Sequence, residues 1–245
     1  MRDGLLHIKP TLQDPELIEN NNILNLTNQG ICSSDMWYDC VAVTNTTNGT
    51  IVNPVKSARI TTKSRPIKFG RVEVVAQLPE GDWLWPAIWM MPENSVYGEW
   101  PRSGEIDIME SRGNDRHYSE GGRNVYYGTT HWGPTAKKDA YWRSTGAKKI
   151  RRGEYSDGYH TFGMQWTEKY IYFYVDSRVK QILFLGYKED KPLYELGEFA
   201  KMSENDTLLD NPWTTSTSKT GNAPFDQDFY LILNVAVGGT NGWFL

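Results

Sequence analysis

Gly104-Glu105-Ile106-Asp107-Ile108-Met109-Glu110-Ser111 places three acids within six residues and spaces them with apolar side chains that favour strands. On a helix, Glu105 and Glu110 would lie about 140° apart at 100° per residue, too far to share a site. On a regular strand, Glu105 and Asp107 share one face while Glu110 points to the other. One surplus residue changes this. A β-bulge near Ile108-Met109 returns Glu110 to the face of Glu105 and Asp107. The stretch therefore predicts a bulged strand with three carboxylates on one side.

Outward from this segment the apolar pattern has period two. Val72, Val74, Ala76 and Leu78 alternate with Arg71, Glu73, Val75 and Gln77. Val125, Tyr127, Thr129 and His131 alternate with Tyr126, Gly128, Thr130 and Trp132. Further strands are expected near 159–166, 170–175, 179–185 and 228–237. Turn residues separate them at Pro79-Glu80-Gly81-Asp82, Pro134-Thr135, Ser156-Asp157-Gly158 and Gly238-Gly239. One short helix is expected over 195–201. Many short strands with regular turns predict an all-β fold, a sandwich of two antiparallel sheets. Segments 10–50 and 203–224 are polar and read as surface loops. The chain reads as one domain over 1–245.

An acid trio has definite chemical uses. A retaining glycosidase needs two carboxyl groups roughly 5–5.5 Å apart, one to attack the anomeric carbon and one to protonate the leaving oxygen. Asp107 between them would raise a neighbour's pKa by like-charge repulsion, or hold the nucleophile by a hydrogen bond. Two plainer readings compete. A solvated acidic face would not need Ile106, Ile108 and Met109. A calcium loop would carry Asp, Asn and Gly at close spacing, where this stretch has Ile and Met. A structural calcium stays open; no other cofactor and no catalytic metal is expected.

The 245 residues suffice to bury a core without staples. A net charge of -4 gives no sign of a nucleic-acid partner. No run approaches the ~20 apolar residues of a membrane span, and Met1-Arg2-Asp3-Gly4 does not lead into an apolar signal segment. Cys32 and Cys40 either close a short disulfide loop or remain two buried thiols. Four sequons, at Asn25, Asn45, Asn48 and Asn205, agree with the disulfide and with secretion. Ten Trp and 14 Tyr supply flat faces on which sugar rings can stack.

Several longer stretches carry a family resemblance. They include Asn53-Pro54 with Ser57-Ala58-Arg59, Phe69 to Val74, and Gly81 to Trp89. They continue through Tyr97-Gly98-Glu99-Trp100-Pro101, Glu105 to Asn114, and His131-Trp132-Gly133-Pro134. Pro224-Phe225-Asp226-Gln227 and Asn234 to Asn241 complete them. Together they resemble glycoside hydrolase family 16 of the laminarinase type, whose pattern E-I-D-I-x-E carries a bulge. The resemblance is closest to invertebrate β-1,3-glucanases and to the β-1,3-glucan-binding, or recognition, proteins of innate immunity. It implies a concanavalin A-like jelly roll with a substrate cleft across a concave sheet. It also implies retaining endo-hydrolysis of β-1,3-glucan. By motif, Glu105 matches the nucleophile, Asp107 the assisting carboxylate and Glu110 the acid/base. Immune relatives that only bind glucan have in several cases lost these acids. All three stand in this sequence, so turnover is expected, with glucan binding alone as the alternative. Relatives extend before the point matching Met1 and beyond the point matching Leu245, so the chain reads as shortened at both ends. The expected partner is β-1,3-glucan, and the expected state a secreted monomer with neither nucleic acid nor membrane as partner.

Six further residues are candidates for holding substrate. Trp100, just before the acids, and Trp85 and Trp89, on the preceding strand, either stack on sugar or pack the core. Trp83 reads as the start of that strand. His131 shares a face with Tyr127 and Thr129 and is either a satisfied core or surface residue or, as the resemblance implies, a residue with a role near Glu110. Arg59 and Asn234 either bond sugar hydroxyls or belong to a sheet edge. The basic run Lys148-Lys149-Ile150-Arg151-Arg152 reads as a solvated loop, or as a contact for an anionic partner such as lipopolysaccharide.

Overall fold

The computed structural model describes residues 3–32 and 36–244. The chain, read from sequence as one domain, divides into two compact units, Met1–Ala58 and Arg59–Leu245.

The larger unit contains ten strands that form two antiparallel sheets: β1 (Arg59–Thr61), β2 (Gly70–Ala76), β3 (Leu84–Pro92), β4 (Glu105–Ser111), β5 (Val125–His131), β6 (Thr145–Lys149), β7 (His160–Trp166), β8 (Tyr170–Val175), β9 (Ser177–Gly186) and β10 (Phe229–Val237). The six-stranded sheet has the order β6-β5-β4-β3-β10-β1 and the four-stranded sheet β9-β8-β7-β2. This is the two-sheet jelly-roll sandwich expected from the alternating pattern. Ile88, Met90, Ile106, Ile108, Met109 and Tyr126 of the larger sheet meet Phe162, Met164, Trp166, Ile171 and Phe173 of the smaller one in a single core.

The bulge lies where the sequence places it. Asp107 pairs with Thr129 and Glu110 with Tyr127, so Ile108 and Met109 together stand opposite Gly128. Both are 1% exposed and point into the core. Without the bulge, strict alternation of the same residues would expose Met109 and drive Glu110 inward. Burying Met109 stabilises by about 1.5–3 kcal/mol. An unpaired carboxylate in the core would cost several kcal/mol more. Both terms favour the bulge. Gly128 is small for a reason: a Cβ there would lie 2.6 Å from Phe173 and 2.9 Å from Ile182.

Three readings need adjustment. The helix expected over 195–201 is two shorter turns, Leu193–Leu196 and the 3-10 turn Phe199–Lys201. Glu198 between them adopts φ 58°, in the left-handed region, and this breaks the helix. Segment 203–224 is not wholly a surface loop. Trp213 and Asn222 are buried, and the Trp213 indole donates to the Arg102 carbonyl at 2.7 Å. Its Asn205-Asp206 pair, both at positive φ, turns a hairpin between Ser203–Glu204 and Thr207–Leu208. Lys148 and Lys149 lie on β6, an outer strand of the larger sheet, where exposed lysines discourage edge pairing; only Arg151 and Arg152 follow it in a loop.

The smaller unit builds its own ladders. Thr11–Leu12 pairs with Val55–Lys56, and Ile23–Asn25 with Val41–Val43. Cys32 and Cys40 form a disulfide with their Cα atoms 5.6 Å apart. Side-chain amides complete the turns: Asn25, Asn45 and Asn48 accept from the backbone N–H groups of Asn28, Thr47 and Thr50. Among the described residues, no helix is long and apolar enough to cross a membrane.

Candidate active site

The register across the larger sheet decides which side chains meet. Glu105 pairs with His131, Asp107 with Thr129 and Glu110 with Tyr127. On the other side Glu110 pairs with Ala87 and Asp107 with Trp89. Cross-strand partners share a face. Glu105, Asp107, Glu110, Trp85, Trp89 and His131 therefore all stand on the face turned away from the core.

Each acid has a distinct set of partners. Trp100 Nε1 donates to Glu105 Oε2 at 2.6 Å. Trp85 Nε1 donates to Glu110 Oε1 at 2.9 Å. Asp107, 2% exposed, has its Oδ2 3.2 Å from His131 Nε2. The other nitrogen of His131, Nδ1, lies 2.5 Å from Asp139 Oδ2. Asp139 is itself fixed by the backbone N–H groups of Trp132 and Tyr141, each at 3.1 Å. Trp100 lies 5.6 Å from the His131 ring, and Tyr141 stacks on it at 5.5 Å.

Burial raises the pKa of all three acids because it disfavours the charged form. Glu110 is pushed up to about 7, first by burial and then by the Glu105 charge; His131, Trp85 and Arg112 act against the rise. Glu105 and Asp107 titrate as a pair, both raised chiefly by burial. The charge of Asp107 adds to the rise of Glu105, while that of Glu110 adds to the rise of Asp107. Burial opposes the charge on His131, but its contacts with Asp107 and Asp139 outweigh burial and lift it to about 11. The cluster thus holds one fixed cation among several acids.

Glu105, Asp107 and His131 each bring a donor atom within 4.8 Å of the others, a spacing that could surround a metal ion. The imidazole faces a carboxylate on each nitrogen, which favours its charged form, and a protonated ring has no lone pair to offer a metal. Its chemistry fits an internal ion cluster.

A second group lies across the sheet. Trp89 Nε1 donates to Asn234 Oδ1 at 2.5 Å, and the Arg59 guanidinium sits 4.7 Å from the centre of the Trp89 ring. Arg59 and Asn234 are cross-strand partners on β1 and β10. These three candidates therefore meet one another. Trp85 has one ring face covered by Trp243, stacked at 4.7 Å and 10°, and its N–H serves Glu110. Trp83 stands just before β3 at φ 67° and touches Phe244 edge-on.

Sequence reasoning did not find Asp139, Tyr141, Arg112 or Trp243. The Arg112 guanidinium lies 3.8 Å from the centre of the Trp243 ring, and its Nε donates to the Trp243 carbonyl at 2.8 Å. Asp139 lies in a turn eight positions beyond His131, and no motif flags it. The Arg112–Trp243 pair spans 131 positions, so local spacing carries no signal for it.

A β-sandwich that carries a bulged strand with paired Glu side chains and an intervening Asp on its outer face has the architecture of a carbohydrate-active protein. The family model described as "Glycosyl hydrolases family 16" matches residues 18–192, and the chain belongs to that family. It is 41% identical over 252 residues to a β-1,3-glucan-binding protein of Penaeus monodon, covering 99% of this chain and 64% of the relative. It is 37% identical to a glucan endo-1,3-β-glucosidase of Cryptopygus antarcticus, covering 77% of this chain and 58% of the relative. Among solved structures, the laminarinase catalytic domain of Thermotoga maritima aligns with a TM-score of 0.55 and 32% identity, over 80% of this chain and 64% of that one. The chain thus spans less than two thirds of the length of each.

Proposed function

We propose that this chain hydrolyses β-1,3-glucan internally with retention of configuration. The observation that carries the reading is the trio on one sheet face, with Glu110 held near pKa 7 beside Glu105 and Asp107. Glu105 attacks the anomeric carbon and forms the glycosyl ester. Glu110, protonated near neutral pH, gives its proton to the leaving glycosidic oxygen, then takes one from the water that cleaves the ester. Asp107 accepts the proton shared with Glu105. The His131 cation and the Trp100 N–H stabilise the ionised form of Glu105 that must attack. Trp100, exposed beside Glu105, offers a face for sugar stacking, and the Arg59–Trp89–Asn234 group offers polar and aromatic surface farther along the sheet. The disulfide and the sequons support a secreted glycoprotein.

Laminarin incubated with the protein should yield reducing ends, with the β-anomer first by NMR. Glu105→Gln should lower the rate by at least 10³-fold. A variant that cuts as fast as the parent would overturn the assignment of the nucleophile.

A second reading is a glucan-binding recognition protein with little turnover. It is favoured by the Penaeus monodon relative, named for binding and matched over 99% of this chain. It is also favoured by the raised pKa of Glu105, which keeps the proposed nucleophile protonated in the resting protein. Binding to insoluble β-1,3-glucan without soluble product would select it.

A further inference from the structure

Glu110 receives its hydrogen bond from a side chain that is itself clamped. The Trp85 indole lies flat against Trp243, with ring centres 4.7 Å apart and planes within 10°. Arg112 lies 3.8 Å from the centre of the Trp243 ring. The guanidinium is tied down twice, from Nε to the Trp243 carbonyl and from Nη1 to the Glu120 carbonyl at 2.5 Å. Tyr127, the cross-strand partner of Glu110, meets the Trp243 ring edge-on at 5.7 Å, and its hydroxyl donates to the same Glu120 carbonyl. The indole N–H of Trp243 is buried with no acceptor among the described residues. An unpaired donor costs free energy, so ring contacts and the backbone must hold Trp243 in place.

We propose that Trp243 is a positioning residue: stacked on Trp85 and gripped by Arg112, it keeps the Trp85 N–H directed at Glu110. It need not touch substrate. The charged groups around Glu110 are Glu105 and Asp107 on β4, His131 on β5 and Arg112 just past β4. Of the groups that act against protonation of Glu110, only Trp85 contributes a hydrogen bond. Losing the stack should therefore mimic losing the bond. The inference rests on Glu110 acting as the acid, yet its test needs no turnover.

The experiment follows two signals in the intact chain: the Glu110 carboxyl by ¹³C NMR across pH, and exchange of the Trp85 indole proton with solvent. Trp85→Phe removes the donor and should raise the Glu110 midpoint by about one pH unit, a tenfold change in its dissociation constant. Trp243→Leu keeps much of the bulk but loses the stack. It should raise the midpoint in the same direction and speed Trp85 indole exchange at least tenfold. Trp243→Phe should restore both. In the double variant W85F/W243L the midpoint should move no further than in W85F alone, because both changes remove the same bond. Additive shifts, unchanged indole exchange in W243L, or a lowered midpoint there would each overturn the proposal. A parent that binds glucan without cutting it would overturn turnover while leaving these titrations readable.

Discussion

Glu110 illustrates how a functional side chain trades stability for chemistry. Its carboxyl is raised from 4.5 to about 7 in the folded chain. A group with a raised folded pKa contributes most below its unfolded value, and that contribution fades as pH rises through the folded value. Between about pH 4.5 and 7 the protein should therefore lose on the order of 3 kcal/mol, because Glu110 ionises in the unfolded chain while it stays protonated in the folded one. Glu110→Gln should raise the melting temperature at pH 8 and change it little at pH 4, while abolishing acid catalysis; thermal unfolding at the two pH values checks both. His131 works in the opposite sense for its neighbours. Asp139→Asn removes one of its two carboxylate contacts and should lower the pKa of the imidazole, measured by proton NMR. Glu105 then loses its compensating charge only where the imidazole becomes neutral, so turnover should fall on the alkaline side of the pH profile and stay near the parent's at acidic pH. The roles of Glu105, Asp107 and Glu110 were legible because residue type and spacing announce them. Asp139 and Tyr141 were not, since their meaning comes from a turn that folds back over His131.

Strand β4 is the element on which the site depends. Deleting Met109 would remove the bulge and restore plain alternation, with Ile106 and Ile108 still inward and Glu110 still on the face of Glu105 and Asp107. Such a variant should keep the three acids on one face while losing about 2–5 kcal/mol with the buried Met109 side chain, whereas Met109→Leu should stay within about 1.5 kcal/mol of the parent; denaturant unfolding checks both. Gly128→Ala tests the same feature from the opposite strand. Its new methyl group collides with Phe173, and a loss of about 1–3 kcal/mol in denaturant unfolding is expected. The strands flanking β4 were readable because one face of each is buried, which writes period two into the residues. The bulge was readable for the same reason: acids at 105, 107 and 110 fit one face only if a residue is surplus. The helix over 195–201 was less so, because a left-handed Glu198 leaves no compositional mark.

At the scale of the molecule, two units carry different chemistry. The Arg59–Leu245 unit holds the acid cluster, and the Met1–Ala58 unit holds the disulfide. Closing so short a loop restricts the unfolded chain by about 2–3 kcal/mol in the chain-entropy picture. Reduction should lower the stability of the smaller unit by that order, seen as faster proteolysis within residues 3–58. The division itself was hidden from the sequence. Segment 10–50 is rich in Asn, Thr and Ser, a composition that reads as loop, yet its amides satisfy backbone groups locally and let short ladders form. The same long-range blindness concealed Trp243, whose partners at 85 and 112 are neighbours only after the sheet has formed.

The doubly paired imidazolium at position 131 has a consequence for the surroundings in which the protein can work. Clusters of acids commonly borrow neutralising charge from calcium or magnesium in solution, and so depend on how much of either is present. Here the counter-ion is part of the polypeptide and stays charged across the range where the acids titrate. Chelators and changing divalent salt should therefore leave the balance of protons among Glu105, Asp107 and Glu110 undisturbed.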